Sequence, residues 1–245
     1  MTAEKTPNRA LIVFSGGQDS STCLAWALRN FDDVYTIGFS YGQTHSVELE
    51  CRQNILNSIE AILGTHTLRE DRMLNLSELA ALDGSALTKG GDISINAENG
   101  LPTSFVPGRN LIFFTYAAAL AYNLHCGTII SGVGEADYSG YPDCRAATIE
   151  AMEKAVSLGL DRPIRFLSPL MRRTKAQTWQ LAYETGGMPL VEFIARESHT
   201  CYLGDRTEFH PWGYGCGKCP ACVLRRAGFE EFLSILESHK PIAAP

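Results

Sequence analysis

The chain has 245 residues, 45% of them hydrophobic and 20% charged, with a formal net charge of −6 at pH 7. These values suit a soluble globular protein made of one large α/β domain, or one domain with a small appendage. The acidic balance argues against a dedicated nucleic-acid binder, and the longest apolar run, residues 111–122, is too short to span a bilayer. The opening MTAEKTPNRA has no apolar leader segment, so a cytoplasmic protein with no membrane association is expected. Thiols stay reduced there, so the 8 cysteines point to metal or catalysis before disulfides.

Residues 11–14 and 34–39 read as buried strands. Between them, Ser15-Gly16-Gly17-Gln18-Asp19-Ser20 turns into a helix starting near Asp19. Paired glycines let the backbone approach an anion without Cβ clashes. The amides at the helix start point at that anion, and the helix dipole favours it. Ser15, Ser20 and Ser21 add hydroxyls. Asp19 is an acid in an anion site; it either caps the helix or helps to hold a metal on bound phosphates. No Gly-Lys-Ser/Thr follows, so this is not the Walker pattern. The segment resembles the SGGxDS loop of PP-loop pyrophosphatases, which bind ATP and cleave it between the α and β phosphates. A plain turn with capping serines is the simpler reading. The flanking strand and helix favour the anion site.

Apolar positions Val47, Leu49, Ile55, Leu56, Ile59 and Ile62 predict a helix over 46–63, ending at Gly64. Residues 66–68 suit a third strand. Residues 83–104 are polar, glycine-rich and without period, which reads as a lid or a disordered loop. A buried apolar helix is expected over 110–125, a strand over 128–133, and helices over 145–158 and 174–185. This alternation implies a parallel sheet with helices on both faces. Ligands then bind outside the carboxyl ends of the strands, where both 15–20 and the segment after Val133 would lie. The expected division is a nucleotide-binding α/β domain over 1–190 and a small metal-binding subdomain with a terminal helix over 191–245.

Cys201, Cys216, Cys219 and Cys222 are spaced C-x14-C-x2-C-x2-C. Four thiolates close a tetrahedral zinc shell with bonds of about 2.3 Å, leaving no position open for catalysis. The alternatives are Cys216, Cys219 and Cys222 with His199 or His210, or an iron–sulfur cluster. Both histidines otherwise read as surface residues. The 209–214 spacer is expected to loop out from the site. Cys23, Cys51 and Cys126 read as core, and Cys144 as a packed thiol.

Three further segments are unusual. In Phe105-Val106-Pro107-Gly108-Arg109-Asn110, Pro-Gly makes a turn, Arg109 offers a fork for phosphate or carboxylate, and Asn110 can cap the next helix. Residues 132–145 carry Glu135, Asp137, Tyr138, Tyr141 and Asp143 just past a strand end. Residues 169–175 bring Lys175 and two arginines to a helix start, an electrostatically poor place that points to an anion.

Together SGGQDSSTCL, FSYGQTH, FVPGRN, SGYPDCR, AVSLG, SPLMRRTKAQTW and CGKCPACVLRRAGF resemble the 7-cyano-7-deazaguanine synthase family, in the same order from about residue 10 to about residue 235. The resemblance implies a Rossmann-like fold of the adenine nucleotide alpha hydrolase kind. It implies ATP-dependent conversion of 7-carboxy-7-deazaguanine and ammonia into the nitrile, through adenylated acid and amide, in queuosine biosynthesis. It also implies a structural Zn2+ on the four cysteines, Mg2+ with the ATP, and a homodimer. On this reading Phe14, Ser15, Gly16, Gly17, Gln18, Asp19, Ser20, Ser21 and Lys175 hold ATP. Asp19, Arg109 and Lys175 act in catalysis. Phe105, Arg109, Glu135, Asp137, Tyr138, Tyr141 and Asp143 bind the base. One carboxylate among Asp137, Asp143 and Glu135 would accept from ring N–H and amine together. Tyr138, Tyr141 or Phe105 would stack on it. Each of these also reads singly as a turn or capping residue. A tRNA-thiolating PP-loop enzyme and a non-catalytic zinc module are the rival readings. The acidic charge and a closed metal shell disfavour the first.

Overall fold

A computed structural model of the chain describes residues 7–42, 47–82, 85, 88, 94, 96, 100–135 and 140–238. Strands β1 (Arg9–Val13), β2 (Asp33–Ser40), β3 (Leu68–Asn75), β4 (Thr128–Ser131) and β5 (Arg165–Leu167) form a parallel sheet in the order β3-β2-β1-β4-β5. The helices are α1 (Gln18–Asn30), α2 (Val47–Leu63), α3 (Glu78–Leu82), α4 (Arg109–Asn123), α5 (Ala146–Gly159), α6 (Lys175–Glu197) and α7 (Pro220–Ser238). None of them is long and apolar enough to cross a membrane.

Successive strand residues point to opposite faces, and β1 shows this directly. Ala10 and Ile12 enter one core with Leu24, Ile55, Trp179 and Phe229, from α1, α2, α6 and α7. Leu11 enters the other with Phe113, Phe114 and Ile149, from α4 and α5. The expected parallel sheet with helices on both faces is the observed one. β1 pairs with β2 on one side and β4 on the other. Chain order therefore reverses between β1 and β4, which opens a crevice at their carboxyl ends.

The differences from expectation have local causes. β3 runs well past residues 66–68, because its sequence LREDRMLN is polar and half-exposed at a sheet edge, where alternation of apolar residues is not required. β5 is a three-residue strand that the sequence did not announce. α6 continues past Thr185. Gly187 (φ 70°, ψ −168°) breaks it, and Pro189 then sits in the first turn of the second half, where its missing N–H costs no bond. The boundary expected at residue 190 falls just past this break, within α6. α4 buries only one face: Leu111, Tyr116 and Tyr122 are exposed. Part of 83–104 is paired, with Asn96 N donating to the Leu101 carbonyl at 2.8 Å and Thr103 N to the Ser94 carbonyl at 2.8 Å. Much of the rest of that stretch lies outside the described residues.

The 209–214 spacer does not loop out. It forms a hairpin of β6 (Phe209–His210) and β7 (Gly213–Tyr214) that folds back on the cysteines and buries Trp212. Gly215 makes this approach possible: a Cβ there would lie 2.6 Å from Cys222 Sγ.

Candidate active site

The glycine loop joins β1 to α1. Gly16 adopts φ 93°, and a Cβ on it would overlap the Glu48 carbonyl, so the first turn of α2 backs the loop directly. Gly17 is the N-cap of α1 and offers no side chain to its first amides. The serines brace the loop: Ser20 Oγ and Ser21 Oγ donate to the Gly17 carbonyl at 3.2 and 2.7 Å, and Gly17 N donates to Ser15 Oγ at 3.2 Å. The Phe14 ring belongs to the core. Gln18 is buried, and neither end of its amide has a partner among the described residues.

Asp19 lies in the first turn of α1. Both its oxygens accept from Lys175 Nζ at 2.9 Å. Lys175 is buried at the start of α6, behind a capping box formed by Thr174 and Gln177. This pairing accounts for a cation at a helix start. Gly228 on α7 makes room for it, since a Cβ there would come within 2.6 Å of Lys175 Cβ. Gly132, just after β4, similarly closes on Ser20 N.

At the start of α4, the Arg109 guanidinium lies 5.6 Å from the Tyr41 ring and 5.9 Å from the Tyr141 ring. Its Nη1 donates to the Tyr41 hydroxyl at 3.3 Å, and its buried Nε has no partner among the described residues. Burial works against the charge, but Tyr41, Tyr141 and Asp143 outweigh it and hold Arg109 charged. The Tyr141 hydroxyl shares a 2.6 Å hydrogen bond with Ser104, and its ring lies 5.7 Å from Phe105. Tyr202 lies beside Tyr141, and burial pushes its phenol up.

The candidate carboxylates divide. Asp143 is buried and accepts from Asn110 N at 3.1 Å, so Asp143 caps α4 and Asn110 does not. Glu135 Oε1 accepts from Ala146 N at 2.7 Å and caps α5. Asp137 and Tyr138 lie outside the described residues. Phe105, Arg109, Tyr141 and Asp143 come together; Glu135 is taken up elsewhere. Tyr41, Glu48, Arg52 and Tyr202 were not singled out from the sequence. Tyr41 sits within FSYGQTH and Tyr202 beside Cys201, which were available signals. Glu48 and Arg52 look like ordinary polar positions of an amphipathic helix.

The Sγ atoms of Cys201, Cys216, Cys219 and Cys222 all lie within 4.8 Å of one another, with 3.9 Å between Cys216 and Cys222 and between Cys219 and Cys201. A tetrahedral shell with Zn–S bonds of about 2.3 Å has edges of about 3.8 Å, so the cluster fits such an ion. His199 is not a surface residue: it is buried, and its Nε2 donates to the Cys201 carbonyl at 3.1 Å. His210 Nε2 donates to the Gly215 carbonyl at 3.0 Å. Neither histidine joins the sulfur cluster. His199 N also donates to the Gly16 carbonyl at 3.3 Å and bridges Gly17 as a strand would. The segment that carries Cys201 therefore abuts the glycine loop.

Residues 9–233 match the model of the family described as queuosine biosynthesis protein QueC. The chain belongs to the QueC family. It is 54% identical over 224 residues to a 7-cyano-7-deazaguanine synthase of Acidovorax sp. (strain JS42), covering 91% of this chain and 93% of that one. It is 53% identical over 234 residues to a protein of the same name from Parvibaculum lavamentivorans, covering 95% and 98%. Among solved structures, a 4-thiouridine synthetase–RNA complex with bound ATP superposes with a TM-score of 0.51 at 17% identity. That match covers 94% of this chain and 53% of the other, and at this identity it shows a shared fold.

In this QueC chain Arg52 ties the loop to the sheet. It is fully buried; Nε donates to the Phe14 carbonyl at 2.9 Å, and the guanidinium forks onto Asp71 of β3. Removing one partner of a buried pair costs about 3–5 kcal/mol. Asp71 keeps some solvent contact, so the low end applies. Arg52→Met is expected to lower the melting temperature by roughly 6–12 °C, at about 2–4 °C per kcal/mol for a chain of this size. An unchanged melting curve would show that the fork carries no stability.

Proposed function

We propose that the chain makes 7-cyano-7-deazaguanine, the product its relatives' name carries, from 7-carboxy-7-deazaguanine, ammonia and ATP. The observation that carries this is what gathers at the carboxyl ends of the strands. A glycine loop with the Asp19–Lys175 pair and Arg109 among tyrosines both lie within electrostatic reach of Glu48.

Turning an acid into a nitrile removes two oxygens, each a poor leaving group. Adenylation activates each in turn. The substrate carboxylate attacks the α-phosphorus, and pyrophosphate departs against the amides of residues 16–21, the hydroxyls of Ser15, Ser20 and Ser21, and Lys175. Asp19 holds Lys175 in place. Ammonia displaces AMP and leaves an amide. A second ATP activates the amide oxygen, and loss of AMP leaves the nitrile. No protein nucleophile is required; the protein positions reactants and meets developing charge. Gln18, whose buried amide has no partner among the described residues, is assigned to ATP. Arg109, whose Nε likewise has none there, is assigned to the carboxylate, and Phe105, Tyr138 or Tyr141 stacks on the flat base. With Glu135 and Asp143 capping helices, Asp137 is the carboxylate assigned to the ring N–H and amine.

The cysteine cluster is assigned a structural zinc ion, carried by the stretch 191–245, which packs into the same core as the ATP-binding stretch 1–190. Magnesium on the phosphates would neutralise their charge. Asp19 already pairs with Lys175, so the phosphates themselves are the better ligands. The exposed Leu111, Tyr116 and Tyr122 on α4 support a homodimer built on that face. A cytoplasmic enzyme with free thiols fits the cysteine cluster.

The test supplies purified protein with 7-carboxy-7-deazaguanine, ammonium, magnesium and ATP, and identifies base and nucleotide by mass spectrometry. Nitrile with AMP is expected. Nitrile with ADP would keep the function and overturn adenylation. Unchanged base and ATP in a folded, zinc-replete sample would overturn the function.

A further inference from the structure

We propose that Glu48 is the base that takes the proton from ammonia as it attacks the adenylated acid. This rests on the nitrile-forming reaction above. Glu48 lies in the first turn of α2, packed on the glycine loop. Its own carbonyl touches Gly16, and a Cβ placed on Gly17 would lie 3.7 Å from its Oε1. The carboxylate thus reaches the loop where the phosphates would sit. It makes no hydrogen bond among the described residues, so no partner there occupies it.

Its charged neighbours come from several elements. Arg109 on α4 draws its proton off, whereas Asp19 on α1, itself paired with Lys175, keeps it on. Tyr41 past β2 and Cys51 on α2 also feel its charge. Burial is the largest influence and pushes the carboxyl up to about 7. A group balanced there is partly ionised at neutral pH and strong enough to accept a proton in the transition state. Glu48 is half-buried and keeps some contact with water, which leaves a route for the proton.

The step balances without a further reactant. Nitrogen bonds to the acyl carbon, and the bond from that carbon to the AMP oxygen breaks, its electron pair leaving with AMP. Ammonia arrives with three hydrogens and the amide keeps two. The third passes as a proton to the Glu48 carboxylate and from there to water.

The test compares the wild type, Glu48→Gln and Glu48→Asp. Wild-type amide formation with ammonium is expected to rise as pH increases through about 7, as the carboxyl ionises. Deprotonation of ammonium raises free ammonia across this same range in all three, so the rates are compared at equal free ammonia. In Glu48→Gln the rise due to the carboxyl disappears, and ammonium-dependent turnover falls about 10²–10⁴-fold. Glu48→Asp keeps the rise at a lower rate. Hydroxylamine is unprotonated at neutral pH and needs little help from a base. It should bring AMP release by Glu48→Gln to within about tenfold of wild type, with hydroxamate as product. A folded Glu48→Gln that retains the rise, or that hydroxylamine fails to rescue, overturns the assignment and leaves the enzyme's function standing. A wild type that makes neither amide nor nitrile removes both.

Discussion

Replacing Lys175 with methionine is expected to lower kcat about 10²–10³-fold while the protein stays folded, the size seen when one donor to developing charge is lost. Lys175 Nζ sits at the start of α1, held by both oxygens of Asp19. A phosphate bound at that helix start would meet the ammonium directly. Without it, Asp19 faces the phosphates uncompensated, so the variant loses an attraction and gains a repulsion. Asp19→Asn in the Lys175→Met background is therefore expected to recover part of the lost ATP affinity, because it removes the repulsion alone. Methionine keeps the packing against Gly228, and Asp19 is 30% exposed, so the unpaired acid retains water and the fold survives. Steady-state kinetics and calorimetric ATP binding check this. A kcat within threefold of wild type would place Lys175 outside the chemistry.

Stripping the proposed zinc ion from the four cysteines is expected to cost ATP binding as well as tail stability. Cys201 lies two residues past His199, whose backbone bridges Gly17 and donates to the Gly16 carbonyl. Gly215 rests on Cys222, and the hairpin and α7 are organised around the same sulfurs. Structural zinc contributes about 10–16 kcal/mol in small zinc-finger peptides, comparable to the whole stability of a domain. Chelation, or Cys219→Ser, should lower the melting temperature by more than about 10 °C. Nucleotide binding should be lost before the sheet unfolds, because the loop loses its support first. Acid should act in the same direction: the proposed ion would be held by thiolates, and protonating them would release it. Metal content, thermal melting and ATP titration on one sample decide it. A metal-free protein that binds ATP normally would show that the His199 bridge stands without the ion.

Some of this was legible locally. Paired glycines after an apolar strand announce an anion loop because only glycine admits φ 93° against a neighbouring helix. Cysteines separated by two intervening residues announce a metal because short spacers aim both thiolates at one point. Strand and helix periods gave the parallel sheet. β3 stayed partly hidden because an edge strand need not be apolar. Glu48 stayed hidden because, in α2, it shares the pattern of a solvent-facing acid.

The sequence by itself determined which groups could bind phosphate, metal and base, because those capacities belong to residue types and short spacings. Only the tertiary structure decided how they are used. Lys175 meets Asp19 across 156 residues, Asp143 and Glu135 are drawn into capping helices, and His199 joins the sulfur cluster to the glycine loop. A carboxylate looks the same in the chain whether it caps a helix or faces a ligand. The difference is a distance of a few ångströms between segments far apart in sequence, and the packing of the sheet and its helices sets it.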